Sequence, residues 1–496
     1  MAVEVACIPS RVIGQESQEK APVKLTRSIG TSQIIFFVVA AAAPLVSMLG
    51  AAPMAIAHGN GPGMPAAFLA AGLLLILFSV GYTAMSRHVV AGGGFFTYIA
   101  IGLGPAMGVG AALLAVLSYT AIQAAVYGLL GYFAVEIINP LTGWTLPWYV
   151  FVFAALAIVH FFGARSIELS GLFLGILMAM EAGILLVLAG AIILSGGGPD
   201  GLSLAPISPS RLLGGGAVVA IIFALLSFTG FEATAIYAEE ARNPETSVPR
   251  ATYGAVVIIT LFYTFTGWAI IYGWGNAEAV RVATERPGEL FLTKSIELLG
   301  AGPTLLMRLL MLSSILSTAL AFQNTMARYL MTLARAGLLP PKLAEIHLRF
   351  ASPFQAGRAQ TAVMAAIILA FVTAGADPYA VQYAWMGALG TLGLVVLQAL
   401  VSVAVIGFFK KARRGEGHWH ASVAPALAAI GLGFAAWQIA LHLPLLSGAE
   451  NIVVRSFPWL VAGSVAVGFA CAPLLKRWRP ENYRRLELIC VQTQDT

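Results

Sequence analysis

The chain has 496 residues, of which 59% are hydrophobic and 10% charged, with a net charge of +6. Soluble domains carry roughly 25% charged residues, and a large globular core would leave its helices with polar outer faces. Apolar runs of about 20 residues recur along the whole length instead, which excludes a soluble fold and predicts an all-α polytopic membrane protein.

Residues 1 to about 30 are polar and hold no apolar h-region, so a cytoplasmic N-terminal tail without a cleavable signal peptide is expected. Twelve spans follow, at approximate limits 32–57, 64–86, 106–138, 147–162, 171–195, 215–239, 251–274, 303–334, 359–375, 379–409, 422–441 and 457–475. The first is interrupted at Ala43-Pro44-Leu45-Val46-Ser47, where proline removes a backbone donor. Gly- and Pro-rich turns, His58 to Gly63 and Gly196 to Gly201, punctuate the outer side. The third span carries Tyr119, Gln123 and Tyr127 at i, i+4 and i+8, on one face. Three polar side chains in line do not suit lipid. The face is either the wall of a solute cavity or an interhelical hydrogen-bonding seam, and Tyr127 fits the seam better. Glu136 and His160, near span ends, read as interfacial.

Glu181 lies inside the fifth span, where a carboxylate is a functional candidate by default; the alternative is a hydrogen-bonded structural acid. The sixth span is interrupted by Ser227-Phe228-Thr229-Gly230-Phe231-Glu232. The outer segment 275–302 is expected to hold a short interfacial helix around Glu289 to Leu299. The eighth span offers Ser313-Ser314 and Ser317-Thr318, then Gln323-Asn324 and Arg328 towards the cytoplasm as parts of an inner gate. Ser and Thr in such positions ordinarily back-bond to their own helix. The run Lys410 to Arg414 reads as a topology anchor on anionic headgroups, not a nucleic-acid patch. Cys7, Cys471 and Cys490 form no disulfide framework and no metal spacing.

The cations set an orientation. Of 28 Lys and Arg, all but Arg211, Arg281, Arg286, Lys294, Arg308 and Arg455 fall on one side of the predicted spans. The positive-inside rule makes that side, with both termini, cytoplasmic, in a multi-pass protein of the cell membrane. The interruptions in spans one and six are five helices apart. In transporters built from inverted repeats, paired discontinuous helices mark the substrate site, and an odd number of helices per repeat turns the second copy upside down. The expected organisation is a tail at 1–30, a ten-helix core at 31–410 with repeats at 31–200 and 211–410, two further helices at 411–476, and a cytoplasmic tail at 477–496. No Gly-x4-Gly-Lys-Ser/Thr loop exists to cradle a nucleotide, which argues against a primary pump, and no nucleophile–base cluster marks an enzyme. No cofactor is expected.

Several segments resemble one family. Gly230-Phe231-Glu232, then Glu239-Glu240-Ala241-Arg242-Asn243-Pro244 and Val248-Pro249-Arg250, are similar to the sixth helix and following loop of amino acid–polyamine–organocation (APC) permeases. Arg335-Ala336-Gly337-Leu338-Leu339-Pro340, Ala91-Gly92-Gly93-Gly94, Leu392-Gly393 and Val405 to Phe409 fit in order and spacing. The resemblance covers about residues 25 to 480. It implies a LeuT-type fold, two five-helix inverted repeats plus two helices, and secondary transport of amino acids or related amines. The family's Gly-rich signature in the first helix is replaced here by Ala-Pro-Leu-Val-Ser.

Such a substrate carries a carboxylate and an ammonium. A half-helix N-terminus at Val46, Ser47 and Met48 suits the carboxylate. Carbonyls of Ala42, Ala43, Ser227 and Phe228 suit the ammonium, with Gly230 in the break and Tyr119 and Gln123 as a wall. The resemblance implies that Glu232 matches an acidic position of some members, hence a proton-sensing candidate; the alternative is a solvated vestibule acid. Some proton-coupled members carry a lysine in the fifth helix in place of sodium; here no span holds a lysine, and Glu181 sits near that region. In sodium-coupled relatives of the wider fold, paired hydroxyls in the eighth helix bind Na+, which makes Ser317 and Thr318 candidates. Glu181, Glu232, Ser317, Thr318 and Gln323 are therefore the coupling or gating set. The expected function is import of a neutral amino acid with H+ or Na+, with an uncoupled amino acid or amine exchanger as runner-up and a channel or non-transporting sensor behind it.

Overall fold

The computed structural model describes residues 27–89, 93–165, 167–201, 203–347, 349–350, 352–411, 415–483 and 486. Most of both tails with Cys7 and Cys490, the Ala91-Gly92 half of one motif and Ala412 to Arg414 of the anchor lie outside these residues. The described residues are helical, with isolated bridges but no strand.

Eleven helices are long and apolar enough to cross a membrane. In chain order, with one shorter apolar helix numbered among them, the segments are α1 Thr31–Ala57, α2 Gly61–His88, α3 Pro105–Thr142, α4 Trp148–Gly163, α5 Gly175–Leu194 and α6 Ala217–Ala235. They continue as α7 Pro244–Trp274, α8 Ala301–Arg335, α9 Phe354–Thr373, α10 Pro378–Lys411, α11 Trp419–Leu441 and α12 Ile452–Trp478. Each expected span falls on one of them. The shorter one is α4, whose 16 residues rise only about 24 Å, less than a hydrocarbon core of about 30 Å. The expected helix at Glu289–Leu299 is present, joined by Asn276–Glu285. The helix Gly94–Leu103 was not anticipated; its ten residues precede Gly104 and Pro105, which reset the chain into α3.

The broken helices α1 and α6 pack together at the centre. α7 and α5 lie against α1, α2 lies against α6 and α7, and α3, α8 and α10 form the facing wall. Close approach depends on small residues, as expected where lipid supplies no hydrophobic drive between helices. A Cβ at Gly72 in α2 would fall 2.1 Å from the Thr260 hydroxyl of α7, and one at Gly468 in α12 would fall 2.5 Å from the Gly110 Cα of α3.

Candidate solute-binding site

The α1 break follows from its sequence. Pro44 has no N–H, and its ring disfavours helical backbone at the preceding residue. Ala43 leaves the helix with φ 49°, the only positive φ at a non-glycine among the described residues, and shares its N–H between the Val39 and Ala40 carbonyls. The chain resumes as Pro44–Val46 and passes through a π turn, Ser47–Ala51. In α6 the helix stops at Ser227, and Gly230, with φ 109°, redirects the chain into a 3-10 stretch, Phe231–Ala235. A Cβ there would lie 2.6 Å from the Ala41 Cβ, so glycine is required both by its dihedral and by the contact with α1.

The freed carbonyls are held by hydroxyls. Tyr263 of α7 donates to the Ala42 carbonyl at 2.9 Å and lies 3.3 Å from that of Ser227, which ties the two breaks at one point. Ser47 Oγ also donates to the Ala42 carbonyl, at 2.8 Å. Sequence reasoning missed Tyr263. Its one trace was a hydroxyl in the apolar seventh span, and nothing there says which helix it meets.

A cavity of about 80 Å³ lies against both breaks. Of the expected binding residues Ala42, Ala43, Val46, Ser47 and Ser227 line it, joined by Thr229 and Thr318. Met48, Phe228 and Gly230 do not line it. Met48 is packed away from solvent, Phe228 meets the Tyr263 ring edge-on, and Gly230 sits against Ala41. The Ser47 N–H is taken by the Ala43 carbonyl at 2.9 Å and Pro44 has none, which leaves Leu45 and Val46 as the donors of this half-helix's first turn.

The α3 wall is corrected by one helical step. Ile122, Ala125, Val126 and Leu129 line the cavity, while the face of Tyr119, Gln123 and Tyr127 is turned into the packing. Gln123 donates to Gln323 Oε1 at 3.0 Å and accepts from Gln360 at 2.8 Å; Gln323 in turn donates to the Gly357 carbonyl at 2.8 Å. These glutamines join α3, α8 and α9 away from the cavity. His160 of α4 joins the same region through Thr361 at 3.0 Å.

Two carboxylates are buried beside the breaks. Glu232, 1% exposed, accepts from Tyr119 Oη at 3.2 Å and from the Gly230 N–H at 3.0 Å, so it is no solvated vestibule acid. Glu181, 2% exposed, accepts from Ser314 Oγ at 2.6 Å, and its other oxygen is buried without a partner. One turn along α8, Thr318 Oγ1 donates to the Ser314 carbonyl at 2.8 Å and lies 3.0 Å from the Ala40 carbonyl of α1. A chain of polar groups thus runs from α5 through α8 to the α1 break. Ser317 is separated from its expected partner: it back-bonds to Ser313 at 2.7 Å.

At one end the bundle is shut. Arg328 of α8 pairs with Glu240 beyond α6, both buried, and Arg335 pairs with Glu239 at 2.7 Å. Tyr237 and Thr325 hydroxyls meet at 3.2 Å. At the other end a second cavity, about 240 Å³, lies between α1, α6, α10 and the α11–α12 link. Ala51, Leu226, Tyr383 and Gly387 line both cavities. Among the described residues, no group of three His, Cys, Asp or Glu side chains is placed to hold a metal ion.

Sequence comparison adds to this geometry. The amino acid permease family matches residues 33–460. A methylthioribose transporter of Bacillus subtilis is 24% identical over 434 residues, 82% of this chain and 86% of that protein. A gamma-aminobutyric acid permease of Escherichia coli is 26% identical over 278 residues, 54% of each chain.

Proposed function

This chain belongs to the amino acid permease family of the APC superfamily, and we propose that it carries a neutral amino acid across the cell membrane by alternating access, coupled to H+ or Na+. It is a membrane transporter of amino acids or small organic solutes and not an enzyme. The observation that carries the finer reading is the cavity at two opposed helix breaks. Its lining holds backbone groups and hydroxyls but no charged side chain, which suits a solute with no net charge. The Val46 N–H takes the carboxylate, and the carbonyls of Ala43 and Ser227, at the cavity wall, take the ammonium, the Ala42 carbonyl being already held by the Tyr263 and Ser47 hydroxyls.

The same breaks support a LeuT-type arrangement of ten core helices plus α11 and α12, with α4 as the twelfth crossing segment. The charge asymmetry supports cytoplasmic termini, so the Glu240–Arg328 end faces the cytoplasm and the larger cavity faces outward. Glu181 is the coupling group, because among the described residues it alone joins an unpartnered carboxylate oxygen to the α1 break through Ser314 and Thr318. Glu232 and Tyr119 form a latch between α6 and α3. A second reading, an uncharged thiosugar substrate, draws on the uncharged lining and on the methylthioribose transporter among the relatives.

A thermal-shift screen of purified protein tests the assignment, since a ligand bound only by the folded state raises its melting temperature. Neutral amino acids are expected to stabilise it. Stabilisation by methylthioribose alone would move the substrate to the second reading.

A further inference from the structure

We propose that the outer cavity is a specificity station for the substrate's side chain: the polar head sits at the breaks and an elongated apolar tail runs past Gly387 and Tyr383 towards the α11–α12 link. This inference rests on the amino acid reading above and names the substrate class as neutral amino acids with long, unbranched apolar side chains. The sizes motivate it. Small-molecule pockets span about 300 to 1,000 Å³. The inner cavity, at about 80 Å³, falls well short; joined to the outer one, at about 240 Å³, it reaches the bottom of that range.

The neck and walls fit a methylene chain. Gly387 stands where the cavities meet, and a Cβ there would contact only Ala125, at 3.8 Å. Gly50 lines only the outer cavity, and a Cβ there would meet nothing within 4 Å. Both glycines therefore keep space open; neither has a positive φ that would demand glycine. Leu226 and Tyr383 wall both cavities, Leu445 and Leu446 wall the outer one, and the Tyr383 ring stacks on Tyr379 at 5.4 Å. The short helix Leu443–Ser447 closes the far side, so the link between α11 and α12 contributes to substrate choice.

Each buried methylene raises affinity about fourfold. Binding of alanine, 2-aminobutyrate, norvaline and norleucine to the purified full-length protein is expected to tighten by about sixtyfold in total. Gly50→Leu, which fills the outer cavity, is expected to cut the norleucine-to-alanine affinity ratio to near one. Leu446→Ala, a separate variant, extends the series to longer chains. A wild-type series flat beyond alanine, or a ratio unchanged in Gly50→Leu protein that still melts cooperatively, would overturn the station. Failure of every member to bind wild-type protein would instead overturn the amino acid reading beneath it.

Discussion

Single residues decide whether the breaks exist. Gly230 combines φ 109° with a 2.6 Å approach to Ala41, so Gly230→Ala forces both a left-handed alanine and a displaced α1. Each strain costs about 1–3 kcal/mol, and a lower melting temperature with weakened solute binding is expected; an unchanged protein would mean that the contact is not maintained. The hydroxyls at the α1 break differ in reach. Thr318 touches the Ala40 carbonyl and Ser317 does not, so Thr318→Ala is expected to remove any sodium dependence of binding while Ser317→Ala keeps it. Equal binding in sodium and choline for wild-type protein would exclude sodium there. Glu181→Gln is expected to retain solute exchange but lose accumulation driven by a pH gradient, and wild-type accumulation by that variant would remove Glu181 as the proton carrier.

Elements explain what the sequence made legible and what it did not. Proline and glycine act on their own backbone, so the breaks at Ala43 to Ser47 and at Ser227 to Gly230 could be read without knowing any neighbour. The face of Tyr119, Gln123 and Tyr127 was legible as buried, but its partner was not. Polar side chains are driven out of lipid equally by a cavity and by another helix, and here the glutamines of α3, α8 and α9 satisfy one another. The hydroxyl of Tyr263, which ties α1 to α6, was hidden for the same reason. The closed end makes an element-scale prediction. Arg328→Met leaves Glu240 buried without its partner, at a cost of about 3–5 kcal/mol. The double variant Arg328→Met with Glu240→Leu is expected to recover most of that stability, and with the ion pair gone a cysteine placed near Thr325 is expected to react faster with a cytoplasmic thiol reagent.

At the scale of the whole molecule, the two ends differ. The end with Arg328, Glu240, Arg335 and Glu239 is bridged by ion pairs, whereas the other holds a cavity that shares Ala51, Leu226, Tyr383 and Gly387 with the lining of the solute site. Under the proposed alternating access the first set breaks while the second space closes, so turnover is expected to saturate and flux to stay far below that of an open pore. The composition alone placed this chain in a membrane, and the order of its motifs placed it among permeases. Neither reported the size of the cavity or the direction in which it opens, because both depend on side chains from five or more helices meeting at one point.

Uptake of labelled alanine and norleucine into proteoliposomes holding the purified full-length chain shows whether solute passes between the two broken helices. Saturable uptake is expected, accelerated by unlabelled amino acid trapped inside and abolished when Gly230→Leu fills the break. Flux that rises linearly with concentration, or that survives the Gly230→Leu substitution in correctly folded protein, would contradict a carrier whose site lies between the two broken helices.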